Sequence, residues 1–150
     1  MTKYIALASL FAAALFLNIT PTQAGGEGEK KVMCVVAKRA INKAQFVKFN
    51  GGKVYFCCGN CKAKFMANNK KFIAKANHQL VMTGQAVQKK CPYSGRGLNP
   101  ETKISIAGAD VCFCCNNCKG KTVDAKLRKQ INMIFNNKSF KKGFVVKSAE

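Results

Sequence analysis

The sequence predicts an α+β fold: two tandem copies of a small module, each a β-hairpin followed by a helix, with connecting helices between and after them. Two observations carry that prediction. The first is an internal repeat at a constant offset of 57 residues. Setting Cys34 on Cys91 places Cys57 on Cys114, Cys58 on Cys115 and Cys61 on Cys118, so each copy reads C-x22-C-C-x2-C. The flanks agree as well: Gly51 meets Gly108, Val54 meets Val111, Phe56 meets Phe113, Asn60 meets Asn117, Lys62 meets Lys119 and Lys64 meets Lys121. Self-similarity of this kind outranks any local signal. The second observation is that each copy runs from extended segments around a Gly-rich turn into a segment with helical apolar spacing.

The elements follow in order. Met1-Thr2-Lys3, the apolar run Ile5 to Leu17 and the small-residue exit Thr22-Gln23-Ala24 form the three regions of a secretory signal peptide, 1–24. The apolar run is shorter than the roughly 20 residues a spanning helix needs. A polar, disordered N-terminus is expected over 25–31. The first module, 32–72, places Cys34 on a loop. Strands over Gln45 to Asn50 and Lys53 to Cys57 follow, turning at Asn50-Gly51-Gly52. A helix then begins at Asn60, a residue type that caps helix N-termini, with Phe65, Phe72 and Ile73 on its apolar face. Segment 73–88 is a helical linker. The second module, 89–126, repeats the plan with strands over Lys103 to Ala107 and Asp110 to Cys114 and a helix from Asn117. The C-terminal segment, 127–150, supplies a helix over Leu127 to Phe135 and a closing strand at Phe144-Val145-Val146.

Composition narrows the function classes. The chain carries 26 Lys and Arg against 6 Asp and Glu, a formal charge of +20. Such an excess suits a solvated surface and also a nonspecific anionic partner, either a polyanion or an anionic membrane surface. Only three of the basic residues are Arg, which leaves few bidentate readers of phosphate or base edges, so no specific nucleic-acid recognition is expected. No catalytic residues are assigned. His78 is the single histidine and is expected at the surface of a polar helix. The acids form no dyad, and phosphate loops, nucleophile elbows and zinc-protease motifs are absent.

The chemistry therefore falls to nine cysteines. A hairpin that folds back brings the loop cysteine beside the second cluster, so three or four sulfurs converge above a helix N-terminus. That setting favours thiolate, the form that zinc and copper(I) bind. Export favours disulfides instead, with Cys57–Cys61 or Cys58–Cys61 as small-loop bridges. A dithiol written Cys58-Gly59-Asn60-Cys61 also has the C-x-x-C form of exchange enzymes, although a hairpin rather than a βαβ unit precedes it. Cys112 has no counterpart, because Tyr55 occupies its place, and is read as a packed strand residue.

Gly52-Lys53-Val54-Tyr55-Phe56-Cys57 and the two Phe-Cys-Cys clusters resemble the G-K-x-Y-x-F-C and F-C-x-x-x-C signatures of YHS and TRASH domains. Cys91-Pro92-Tyr93-Ser94-Gly95 is similar to that family's C-P-V-S-G opening. The likeness covers 32–72 and 89–122, about half the chain. It implies treble-clef-like modules that hold zinc or copper(I), with Cys34, Cys57 and Cys61 as one ligand set and Cys91, Cys114 and Cys118 as the other. Cys58 and Cys115 are the nearest candidates for fourth ligands. The family likeness also places the protein in the periplasm or outside the cell. Two departures predict asymmetry. Cys34-Val35-Val36-Ala37-Lys38 lacks the Pro and Gly of the second opening, which implies a less regular knuckle. Thr122 replaces Phe65, which implies a smaller second core. Three functions follow: storage, buffering or delivery of a metal ion, with a metal-delivery protein as partner; a structural zinc module whose basic surface binds a polyanion or protein; or a dithiol–disulfide oxidoreductase.

Overall fold

The computed structural model describes residues 31–147. The expected signal peptide and residues 25–30 lie outside the described residues. Two antiparallel hairpins, β1 (Asn42–Phe49) with β2 (Gly52–Phe56) and β4 (Asn99–Ile106) with β5 (Ala109–Phe113), occupy equivalent places in the two copies. Each turns through two residues of positive φ, Asn50 (48°) and Gly51 (84°) in the first, Ala107 (50°) and Gly108 (87°) in the second. This is the geometry whose twist matches that of the flanking strands. Both first strands begin earlier than expected and carry an irregularity at the same place, between Asn42 and Phe46 and between Asn99 and Ile104. Asn42 Oδ1 accepts the Ala44 N–H at 2.9 Å, and Asn99 Oδ1 accepts the Glu101 N–H at 3.0 Å. A side chain that substitutes for ladder bonds explains why these stretches pair without alternating.

The helices α1 (Gly59–Ala67) and α3 (Asn116–Val123) start one residue before the expected Asn60 and Asn117, and their N-caps are Cys58 and Cys115. Both cysteines are extended, with φ of −162° and −163°, so each strand passes directly into its helix. After a 3-10 turn at Asn69–Phe72, α2 (Ile73–Met82) ends at Thr83, where Gly84 adopts φ 70° and its N–H donates to Val81 O at 3.0 Å. Glycine in that conformation closes a helix, so the linker is not helical throughout. Ala86–Gln88 instead forms β3, antiparallel to β6 (Phe144–Val146), the expected closing strand. Helix α4 (Leu127–Phe135) has the expected bounds, and a further helix, α5 (Asn137–Gly143), follows it. Asn136 caps α5 by accepting the Ser139 N–H at 3.0 Å.

The two copies do not bury separate cores. Phe56, Phe65 and Leu80 share one buried cluster with Ile106, Val111, Phe113, Ile134 and Phe135. Between the hairpins, side-chain amides stand in for missing strands. Gln79, 2% exposed, accepts the Tyr55 N–H at 2.7 Å and donates to Tyr55 O at 3.0 Å and Met33 O at 2.9 Å. Gln88 does the same for Cys112, the equivalent strand position in the second copy, at 2.9 and 2.7 Å. The edge positions Tyr55 and Cys112 are thereby paired rather than left open.

The second core is not smaller in the expected sense. Phe65 packs on Phe56 in the first copy, with ring centroids 5.2 Å apart. In the second, Tyr93 stacks on Phe113 at 5.9 Å, and its hydroxyl lies 2.7 Å from Thr122 Oγ1. Tyr93 stands where the first copy has Val36. The aromatic ring has moved from the helix to the knuckle, and Thr122 satisfies its hydroxyl.

Candidate metal centres

Each cluster draws one sulfur from the knuckle, one from the residue after the hairpin and one from the first turn of a helix. The knuckles are superposable in their bonding. Cys34 N–H donates to Arg39 O at 2.8 Å and Lys38 N–H to Cys34 O at 3.0 Å; Cys91 N–H donates to Arg96 O at 2.9 Å and Gly95 N–H to Cys91 O at 2.8 Å. The first knuckle is therefore as closed as the second. Its irregularity is confined to Lys38, which takes φ 52° where the second copy has Gly95 at 74°.

The sulfurs of Cys34, Cys57 and Cys61 all lie within 4.8 Å of one another, and so do those of Cys91, Cys114 and Cys118. Cys57 Sγ is 3.5 Å from Cys61 Sγ, and Cys114 Sγ is 3.7 Å from Cys118 Sγ. Four sulfurs held tetrahedrally about 2.3 Å from zinc are about 3.8 Å apart, whereas a disulfide requires about 2.05 Å. These separations fit a shared cation, and all nine cysteines are free thiols. In both clusters the knuckle and helix cysteines are buried and the middle one is half-buried.

Electrostatics divides each set. Burial opposes ionisation of Cys34, but the N–H groups of Ala37, Cys57 and Val36 outweigh it and hold the thiol below its ordinary value. Burial likewise opposes ionisation of Cys91, yet the Ser94 hydroxyl and N–H, with the Cys114 N–H, bring it down to about 6. Cys61 and Cys118 are pushed up to about 12, by burial first and then by the thiols packed around them. Cys57 is raised by burial and by Cys34 and Cys58. One sulfur in each triad is held below the ordinary thiol value while its helical neighbour is held above it. A thiophilic cation removes that conflict, because its charge replaces the protons.

Cys58 and Cys115 are exposed and stand outside the mutually close triads, although their sulfurs lie 3.8 and 3.7 Å from those of Cys57 and Cys114. Neither closes a regular cap hydrogen bond, but the Cys61 N–H lowers the Cys58 thiol and the Cys118 N–H lowers that of Cys115. Cys112 lies in β5, half-buried and away from both triads. His78 is not the surface residue expected. Its Nε2 is 3.0 Å from Ile106 O and its ring meets Phe135 edge-on at 5.0 Å, so it joins α2 to the end of the second hairpin. Burial holds it below the usual imidazole value.

Sequence reasoning missed Ser94, whose Oγ is 3.2 Å from Cys114 Sγ. The first copy has Ala37 there, so the departure from the repeat was the available signal. It also missed how α5 backs the second knuckle: Lys142 Nζ donates to Tyr93 O at 2.8 Å, and Gly143 O accepts the N–H groups of Lys89 and Lys90 at 2.8 and 3.0 Å. A Cβ at Gly143 would lie 3.0 Å from Lys90 O and from Pro92 Cα, which reserves the position for glycine. Among the described residues no helix is long and apolar enough to cross a membrane. No family model, curated protein or solved structure matches the chain.

Proposed function

We propose that this is an exported protein that holds zinc or copper(I) in two three-cysteine sites and stores, buffers or delivers the ion. The observation that carries the reading is the convergence, twice and by the same knuckle–hairpin–helix route, of three free sulfurs within 4.8 Å. That route supports treble-clef-like modules of the YHS/TRASH kind. Thiolate donors suit soft ions, which zinc and copper(I) both satisfy. The N-terminal sequence, with its signal-peptide order, supports export to the periplasm or beyond.

Cargo is favoured over scaffolding by two features. Three close sulfurs leave a position that the thiolate of a delivery partner can take, whereas Cys58 or Cys115 moving into it would close the site with four, as in structural zinc sites. The shared core contains the site cysteines Cys34, Cys61, Cys91 and Cys118, but most of its members are aromatic and aliphatic residues that bind no ion, so the fold does not rest on the ion alone. The test is to prepare Gly25–Glu150 without oxygen, load it with zinc or copper(I), and compete with a chelator while following circular dichroism. Metal that leaves while the spectrum persists supports cargo. Collapse on chelation would show a structural role, and a folded, metal-refractory protein whose cysteines are paired by mass would establish the disulfide alternative.

A further inference from the structure

Beside the first site, the stretch leading into Cys34, helix α2 and helix α4 enclose a groove of about 620 Å³. Val35, Ala74, Met82, Ile131, Met33 and Leu127 give it an apolar lining, which His78, Gln79 and Asn132 interrupt. Met33 is 38% exposed and Leu127 52%, two of the five large hydrophobic residues exposed among the described residues. Lys31, Lys38, Lys71, Lys75 and Arg128 also line the groove, and among the described residues no Asp or Glu does. Cys34, itself buried, also borders it.

The arrangement of charge selects the occupant. The five cations come from three separated stretches of chain around one partly apolar lining. A single-headed amphiphile would satisfy one or two of them. A peptide segment with carboxylates on one face and apolar side chains on the other can meet all five while covering the apolar part of the lining. We propose that the groove docks an acidic amphipathic segment of a partner protein and seats that partner next to Cys34. Its purpose rests on the metal-carrying reading, since a donor or acceptor of the ion must approach a ligand sulfur.

The test uses Gly25–Glu150, which retains every described residue, and a fluorescent helical peptide with Glu on one face and Leu on the other. A peptide of the same composition in scrambled order is the control. Anisotropy is measured for the parent, for the triple variant K71E/K75E/R128E, and for K48E/K103E/K138E, which makes the same change in net charge elsewhere on the surface. The amphipathic peptide is expected to bind about tenfold tighter than the scramble. The groove variant should weaken it about tenfold or more, and the control variant about twofold or less. Leu127→Asp, at an exposed position, should weaken it similarly and serves if the triple variant does not fold. Equal weakening by both triple variants, or equal binding of the scramble, would overturn the proposal in favour of net charge alone. Phosphatidylserine vesicles that bind through the same three residues more tightly than the peptide would overturn it in favour of a lipid surface. Metal content of each sample separates the two readings. A chain that takes up no metal but binds the peptide through the groove refutes the metal reading and leaves the docking site standing. One that holds metal and ignores the peptide does the reverse.

Discussion

Replacing Gln79 by leucine removes the side chain that acts as a third strand for the first hairpin while keeping a similar volume. The substitution leaves the Tyr55 N–H and C=O without the partners now at 2.7 and 3.0 Å. Met33 O also loses its donor, but Met33 is exposed and water can serve it. Each backbone group left unpaired away from water costs about 1–3 kcal/mol. Burying leucine in place of the amide returns about 1–2 kcal/mol, so the mid-range net loss is about 2.5 kcal/mol, or on the order of 10 °C in Tm. Gln85→Leu is the matched comparison. Gln85 makes the same pair of bonds to Lys53, at 2.7 and 2.8 Å, but at an exposed edge where water replaces them. Its loss should stay within about 1 kcal/mol. Urea unfolding of the metal-free, reduced protein, followed by far-UV circular dichroism because the chain has no Trp, reads both values. Equal losses for the two variants, or a loss under about 1 kcal/mol for Gln79→Leu, would refute edge pairing by buried amides.

Exchanging the aromatic ring between knuckle and helix gives a second test. Tyr93→Val and Thr122→Phe should each destabilise, by cavity and by overpacking, and the double variant should recover about 1–3 kcal/mol of coupling in a urea-unfolding cycle. Ala107→Asn places at the second turn the residue found at the first, and should add about 0.5–1 kcal/mol because Asn tolerates the φ of 50° better than Ala. With Cys91 lowered to about 6 and Cys118 raised to about 12, metal displaces the Cys118 proton across the whole accessible range and the Cys91 proton only toward pH 6 and below. Second-site affinity should therefore keep rising with pH from 6 to 9, with proton release measured by calorimetry in two buffers; a flat profile would contradict it. In the metal-free protein the depressed Cys91 contributes stability that is fully present above the ordinary thiol value of 9.0 and is lost as pH falls to about 6, while the raised Cys118 contributes stability below 9.0 that is lost toward 12.

What was legible in the sequence was whatever the repeat duplicated. Cys34, Cys57 and Cys61 with their second-copy partners were placed by register alone, and the Gly51 and Gly108 turns located both hairpins. Helix α4 followed from its own apolar spacing. What was not legible depended on contacts made between the copies or only in one of them. Gln79 and Gln88 are separated from Tyr55 and Cys112 by 24 positions each, and a lone Gln in a polar stretch carries no sign that it will pair with a strand edge. His78 looked like surface because its partners, Ile106 and Phe135, lie in the other copy and in α4. The Cys58 and Cys115 caps were hidden by Asn60 and Asn117 two positions on, the stronger capping type. Gly84 did carry a stop signal for α2, and only the apolar run before it concealed the short strand Ala86–Gln88.

Metal stoichiometry, and its dependence on individual cysteines, is the most direct test of two three-sulfur sites. Gly25–Glu150, prepared without oxygen, should carry two equivalents of zinc or copper by native mass spectrometry and elemental analysis. Cys61→Ser and Cys118→Ser should each retain one equivalent and together none, because a hydroxyl does not replace a thiolate at a soft ion. Two ions unaffected by these substitutions, or a folded chain without metal whose mass shows paired cysteines, would contradict the two three-sulfur sites.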